Sequence, residues 1–116
     1  MQDLPAAYGQ PNAALVATVD GASAGCVALV RLDRSTALVK KLYVRPEFRG
    51  AGLARELMSG VLNAARSWGV TRIVLDTDKA RLRAAYELYR ALGFRECAPY
   101  GAVDYRCPTY MELLLE

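Results

Sequence analysis

The chain has 116 residues, 53% of them hydrophobic, which suits one domain with a modest core. Its 15 basic and 12 acidic residues leave a net charge of +3, with Lys40-Lys41 as the only adjacent basic pair, far short of a nucleic-acid footprint. The absence of histidine, and three cysteines (Cys26, Cys97, Cys107) without a CxxC pair, speak against a metal centre and a Cys–His nucleophile.

Residues 1–13 read as irregular, because Pro5, Gly9 and Pro11 interrupt them. Ala14 to Val19 reads as a strand, and Asp20-Gly21 is a hairpin signal. Gly25 to Leu32 is the partner strand. After a turn at Asp33-Arg34-Ser35, Thr36 to Val44 is a third strand, completing an antiparallel meander. A helix is expected from about Gly52 to Trp68, with Leu53, Leu57, Val61, Ala64 and Trp68 on one face and Gly69 closing it.

Thr71 to Asp76 is a buried strand. Reached through a helical crossover, it should lie parallel to the strand before the first helix. A second helix runs from Ala80 to Leu92 and ends at Gly93. Phe94 to Ala98 is a short strand, Tyr100 to Pro108 a long excursion and Tyr110 to Leu115 the last strand. The order β-β-β-α-β-α-β-β describes a single α/β (α+β) domain over 1–116, with helices packed on a mixed, mainly antiparallel sheet.

The most informative segment is LYVRPEFRGAGLARELM, residues 42–58. A strand feeds a glycine-rich loop that opens a helix. Such a loop presents unpaired backbone N–H groups at the positive end of a helix dipole, which is an anion site suited to phosphate. A P-loop would need GxxxxGK followed by Ser or Thr, and none exists. A dinucleotide fingerprint would need a third small residue where Arg55 stands, and only Asp76 could serve as its acidic partner.

The spacing R-x-x-G-x-A, made by Arg49, Gly52 and Ala54, resembles the acetyl-CoA loop of the GNAT superfamily, Q/R-x-x-G-x-G/A. LYVRPEFRG resembles the strand and turn that lead into that loop. AAYELYRALGF resembles the family's later helix, A-x-x-L-Y-x-x-x-G-F, with Ala85, Leu88, Tyr89, Gly93 and Phe94 in register. The resemblance runs from about Ala14 to Leu115. Before it, about a dozen residues stand where the family has a strand and two helices.

The resemblance implies an acyl-CoA N-acyltransferase that moves an acetyl group from acetyl-CoA to a primary amine of a small molecule or peptide by direct attack. The strand before the loop would bulge and splay from its parallel neighbour, leaving the backbone of Leu42, Tyr43 and Val44 to pair with the pantetheine. N–H groups from Arg49, Gly50, Ala51, Gly52, Leu53 and Ala54 would hold the pyrophosphate, flanked by the side chains of Arg45, Arg49 and Arg55, of which Arg49, in the Q/R slot, would reach the nucleotide phosphates or hold the loop. Tyr89 stands where relatives keep an acid near the cofactor sulfur, Leu38 where many keep a glutamate base, and Leu82 where many keep an asparagine. Asp76 is the substitute base, beside relay to solvent. Trp68 reads as a core residue and Tyr86 as a packing or surface residue.

No metal is implied. The alternative is a degenerate module that binds CoA or a protein partner without efficient turnover, and the acceptor is not legible. Reduced thiols, no secretory pattern at Met1 to Asn12 and no membrane-length apolar run place the chain in the cytoplasm, without nucleic-acid or membrane partners. The short N-terminal region predicts missing cover, and hence a homodimer through the strand Tyr110 to Leu115 or the uncovered flank.

Overall fold

The computed structural model describes residues 2–4, 12–99 and 108–115. Its first strand corrects the sequence reading. Gln2–Leu4 (β1) pairs antiparallel with residues 12–14, at the start of Asn12–Val19 (β2), inside the stretch read as irregular. Three residues are too few for alternation to show, and the prolines and Gly9 dominate the local pattern.

Asp20 and Gly21 both take positive φ, 49° and 82°. That mirror-image turn matches the twist of paired strands and joins β2 to Ala22–Arg31 (β3). At the next turn Ser35 N–H donates to Asp33 Oδ1 at 2.9 Å, and this bond holds the Asp33 carboxyl below its usual range. Thr36–Val44 (β4) follows and completes the expected meander.

A short 3-10 turn, Pro46–Phe48, leads through the glycine loop to Leu53–Ser67 (α1). Arg72–Thr77 (β5) returns parallel to β4. Arg83–Ala91 (α2) is followed by Arg95–Glu96 (β6) and Thr109–Leu114 (β7). Among the described residues the strands form one seven-stranded sheet in the order β1-β2-β3-β4-β5-β7-β6, with β4–β5 as its parallel pair. Residues 100–107, most of the expected excursion, and Cys107 lie outside the described residues.

Both helices cover one face of the sheet. Leu57, Met58, Val61, Leu62 and Ala65 of α1 and Tyr86 and Tyr89 of α2 share a core with Leu29, Val39, Ile73, Leu75 and Met111. Alternation along β5 turns Ile73 and Leu75 toward the helices and Val74 and Asp76 to the other face. Each fully buried aliphatic or aromatic side chain contributes about 1.5–3 kcal/mol. Arg31 ties the end of α1 to β3: its guanidinium donates to the Trp68 carbonyl at 2.9 Å and stacks over the indole at 5.4 Å. Trp68 is half-buried against the core.

The last strand lies inside the sheet between β5 and β6, and β6 pairs with it at Met111 and Glu112. Across the outer face Arg72 Nε donates to Glu112 Oε1 at 2.7 Å. No described helix is long and apolar enough to cross a membrane.

Candidate active site

The site begins with an irregularity in β4. Between the pairs Ala28↔Lys40 and Cys26↔Tyr43, β4 sets Lys41 and Leu42 against Val27 alone. This is a bulge, and it bends the strand. Lys41 takes φ 58°, a conformation costing a non-glycine residue roughly 1–2 kcal/mol. Gly25 lies under the bulged segment. A Cβ there would sit 2.6 Å from the Tyr43 carbonyl oxygen, so only glycine allows the strands to approach.

On its other side β4 leaves its parallel neighbour. The β4–β5 ladder holds three pairs, from Thr36↔Arg72 to Leu38↔Val74, and then the strands part. Among the described residues the β5-facing edge of residues 39–44 has no ladder partner. The resulting gap has a volume of about 230 Å³. Residues 39–42 form one wall, residues 75–77 the other, and Tyr89 and Leu82 of the α2 segment close it. A second cavity of about 410 Å³ shares Asp76, Thr77 and Leu82 and extends to Asp78 and Arg81.

The glycine loop lies past the end of β4. Gly50 and Gly52 have φ of 87° and 80°, and no atom lies within 4 Å of where a Cβ would stand on either. Gly52 caps α1 without a side-chain hydrogen bond. Glu56 N–H is the first to find an intrahelical acceptor, the Gly52 carbonyl at 3.1 Å. The N–H groups of Leu53, Ala54 and Arg55 therefore have no acceptor within the helix. The result is an open, positive cradle of backbone that can hold an anion.

The arginines divide their tasks. Arg49 turns back from the loop: its Nε donates to the Val44 carbonyl at 2.9 Å, and its guanidinium stacks over Tyr43 at 5.8 Å. It fixes the loop to the strand. Arg45 pairs with Glu47 at 2.6 Å and donates to the Ser23 carbonyl at 3.0 Å. Arg55 is exposed and makes no ion pair among the described residues, so its charge stands free at the first turn of α1.

Tyr89 is 6% exposed and lies against Phe94, ring centroids 5.9 Å apart. Burial, with the Asp76 carboxylate behind it, pushes its phenol up to about 12. Tyr86, by contrast, packs its ring but sends its hydroxyl outward to Glu96 Oε2 at 2.6 Å. Leu38 is buried in the last parallel pair, beside Val30 and Val74, and is not on the gap wall. Leu82 lines the gap and is 54% exposed. Thus the structure brings together Leu42, Asp76, Leu82 and Tyr89, and sets the loop residues 49–54 apart at the far end of the strand.

The family model for the acetyltransferase (GNAT) family matches residues 2–94. The chain belongs to the GNAT acetyltransferase family. The match begins in β1, earlier than the resemblance visible from Ala14 onward. An uncharacterized N-acetyltransferase of Schizosaccharomyces pombe is 34% identical over 109 residues, 91% of this chain and 66% of the relative. The crystal structure of an acetyltransferase from Streptococcus agalactiae superposes with a TM-score of 0.77 at 32% identity, covering 90% of this chain and 67% of that one. A Salmonella typhimurium protein solved with its cofactor acetyl-CoA superposes with a TM-score of 0.75 at 28% identity, covering 93% and 66%. The chain spans between about two fifths and two thirds of the length of the curated relatives it matches first.

Several residues of this GNAT site escape the sequence reading. Lys40, Lys41 and Thr77 line the gap, yet a lysine carries no sign that it will adopt positive φ. Asp78 starts the α2 segment: its Oδ1 accepts from Ala80 N–H at 3.2 Å and Arg81 N–H at 3.1 Å. The helix then begins at Arg83 rather than Ala80. An aspartate just ahead of a helical pattern is the signal that could have placed this turn.

Proposed function

We propose that this GNAT domain transfers an acetyl group from acetyl-CoA to a primary amine of a small molecule or peptide by direct attack. One observation carries the reading: the sheet opens between β4 and β5 immediately after their third pair, with an uncapped glycine loop at one end and a buried tyrosine at the other. The residues present fit acetyl-CoA. The free edge of Leu42, Tyr43 and Val44 can add an extended pantetheine as a further strand. The N–H groups between Gly50 and Arg55 suit the pyrophosphate, with Arg55 adding charge, while Arg49 holds the loop in place.

When bound, acetyl-CoA supplies the activated thioester carbonyl. The domain's own contribution is positioning, and holding two reactants in line supplies up to about 7–11 kcal/mol. Tyr89 remains protonated well past neutral pH. A phenol raised to about 12 is a weaker acid than a thiol near 8.5, so Tyr89 does not surrender its proton outright. It donates a hydrogen bond to the departing sulfur, which takes its proton from solvent. Leu38 offers no base. Asp76, on the gap wall, or solvent receives the proton lost by the amine.

The test is acetyl transfer across a panel of amines and peptides, read as thiol release and product mass. Transfer by the wild type, with a drop in Tyr89→Phe, supports the proposal. Tight acetyl-CoA binding without transfer to any acceptor would reject it.

A further inference from the structure

Lys40 and Lys41 form the one adjacent basic pair of the sequence, and both lie on the β4 wall of the gap. Both are exposed. Among the described residues neither belongs to an ion pair, whereas Arg45, Arg72, Lys79 and Arg83 each have a carboxylate partner. Lys41 also holds the strained backbone of the bulge, and strain of that kind persists where the surrounding structure enforces it, often at ligand sites.

Their place along the strand separates them from the phosphate loop. At about 3.3 Å per residue, Lys40 stands roughly 13 Å back from Val44, with the 3-10 turn still to come before Gly50. The loop meets its anion with its own N–H groups. Lys40 and Lys41 instead line the gap that Tyr89 closes, where transfer takes place in the reading above. Asp76 stands on the opposite wall. The charge of the gap is therefore divided, positive on the β4 side and negative on the β5 side. That pattern complements a dipolar molecule whose amine lies toward β5 and whose acid group lies toward β4.

We infer that the acceptor amine carries a carboxylate, as a free amino acid does, and that Lys40 and Lys41 receive that carboxylate. The inference deepens the acetyl-transfer reading and rests on it.

The experiment compares L-amino acids with their own carboxamides as acceptors of the full chain, at saturating acetyl-CoA. Rates are taken per concentration of unprotonated amine, because the two forms titrate differently. Acids should exceed amides at least tenfold in kcat/KM, and the excess should shrink as salt rises. In the double variant Lys40→Gln, Lys41→Gln the ratio should approach one, and in Lys40→Glu it should fall below one. Circular dichroism and acetyl-CoA affinity report whether each variant is folded. Amides or plain amines turned over as well as the acids would overturn the inference and leave acetyl transfer standing. An acid preference that survives in the double variant would overturn the role of the lysines. No transfer to any amine, with acetyl-CoA bound, would overturn both readings.

Discussion

Tyr89 of α2 and Asp76 of β5 line the same gap, and the Asp76 carboxylate adds to burial in lifting the Tyr89 phenol to about 12. The pairing sets how the tyrosine can act. Tyr89→Phe keeps the ring against Phe94 and removes only the hydroxyl. Its kcat should fall by roughly 100–1000-fold, the usual cost of losing one hydrogen-bond donor to developing negative charge, while acetyl-CoA affinity changes little. Steady-state kinetics with calorimetry checks this, and full activity would return Tyr89 to packing.

The same shift makes stability depend on alkaline pH. The folded phenol is raised to about 12, against about 10 in an unfolded chain. Between these values the folded state binds more protons than the unfolded one, so stability falls as pH rises. Tyr89's contribution is complete below about pH 10. That difference corresponds to roughly 2–3 kcal/mol lost by about pH 12. Urea unfolding from pH 9 to 12 should show a steeper decline in wild type than in Tyr89→Phe. Parallel curves would count against the shift.

Gly52 has φ 80°, and the space around its absent Cβ is open. Gly52→Asp would place a strained residue and a negative charge where the phosphate is expected. Acetyl-CoA affinity should drop at least tenfold by calorimetry, with the fold retained. Unchanged affinity in a folded variant would detach the loop from the cofactor.

Gly25 tests the bulge. A methyl there meets the Tyr43 carbonyl oxygen at 2.6 Å and Leu57 Cδ1 at 3.2 Å. Gly25→Ala must push β4 away from β3, at a cost of about 1–3 kcal/mol. Because the displaced segment contains Tyr43 and Val44, acetyl-CoA affinity should fall as well. Denaturant unfolding and calorimetry on one preparation would reveal both effects, and a stability equal to wild type would show that the strands tolerate the methyl.

Much of this molecule was legible where a residue type has one dominant physical meaning. Asp20-Gly21 fixed the first hairpin because both residues accept positive φ. The apolar face of Leu53, Leu57, Val61, Ala64 and Trp68 announced α1, and Gly69 and Gly93 marked the two helix ends. The loop followed from glycines at a strand–helix junction. What stayed hidden depends on tertiary relations. β1 exists because residues 12–14 offer it an edge. The resemblance implied a bulge in the strand before the loop, but its position, where Val27 faces two residues of β4, is not foretold by the side chain of Lys41. Arg49 sits in the expected motif, yet its contact with the Val44 carbonyl appears only once the loop is folded.

The three-pair ladder between β4 and β5 has a mechanical meaning. Among the described residues it is the sole strand-to-strand join between a leaf made of β1 to β4 and a leaf made of β5, β7 and β6. At the base of that join the N–H groups of Thr71 and Arg72 both donate to the Ser35 carbonyl, at 2.9 and 3.0 Å, and this is a natural pivot. Turning one leaf by about 5° about it moves the strands apart by only about 1 Å at a distance of roughly 13 Å, four residues along. Leverage therefore favours the end at Tyr89 over the end at Ser35, and the core beneath the join sets its stiffness. A molecule wedged between the leaves would tune the width of the reaction gap without breaking a single rung.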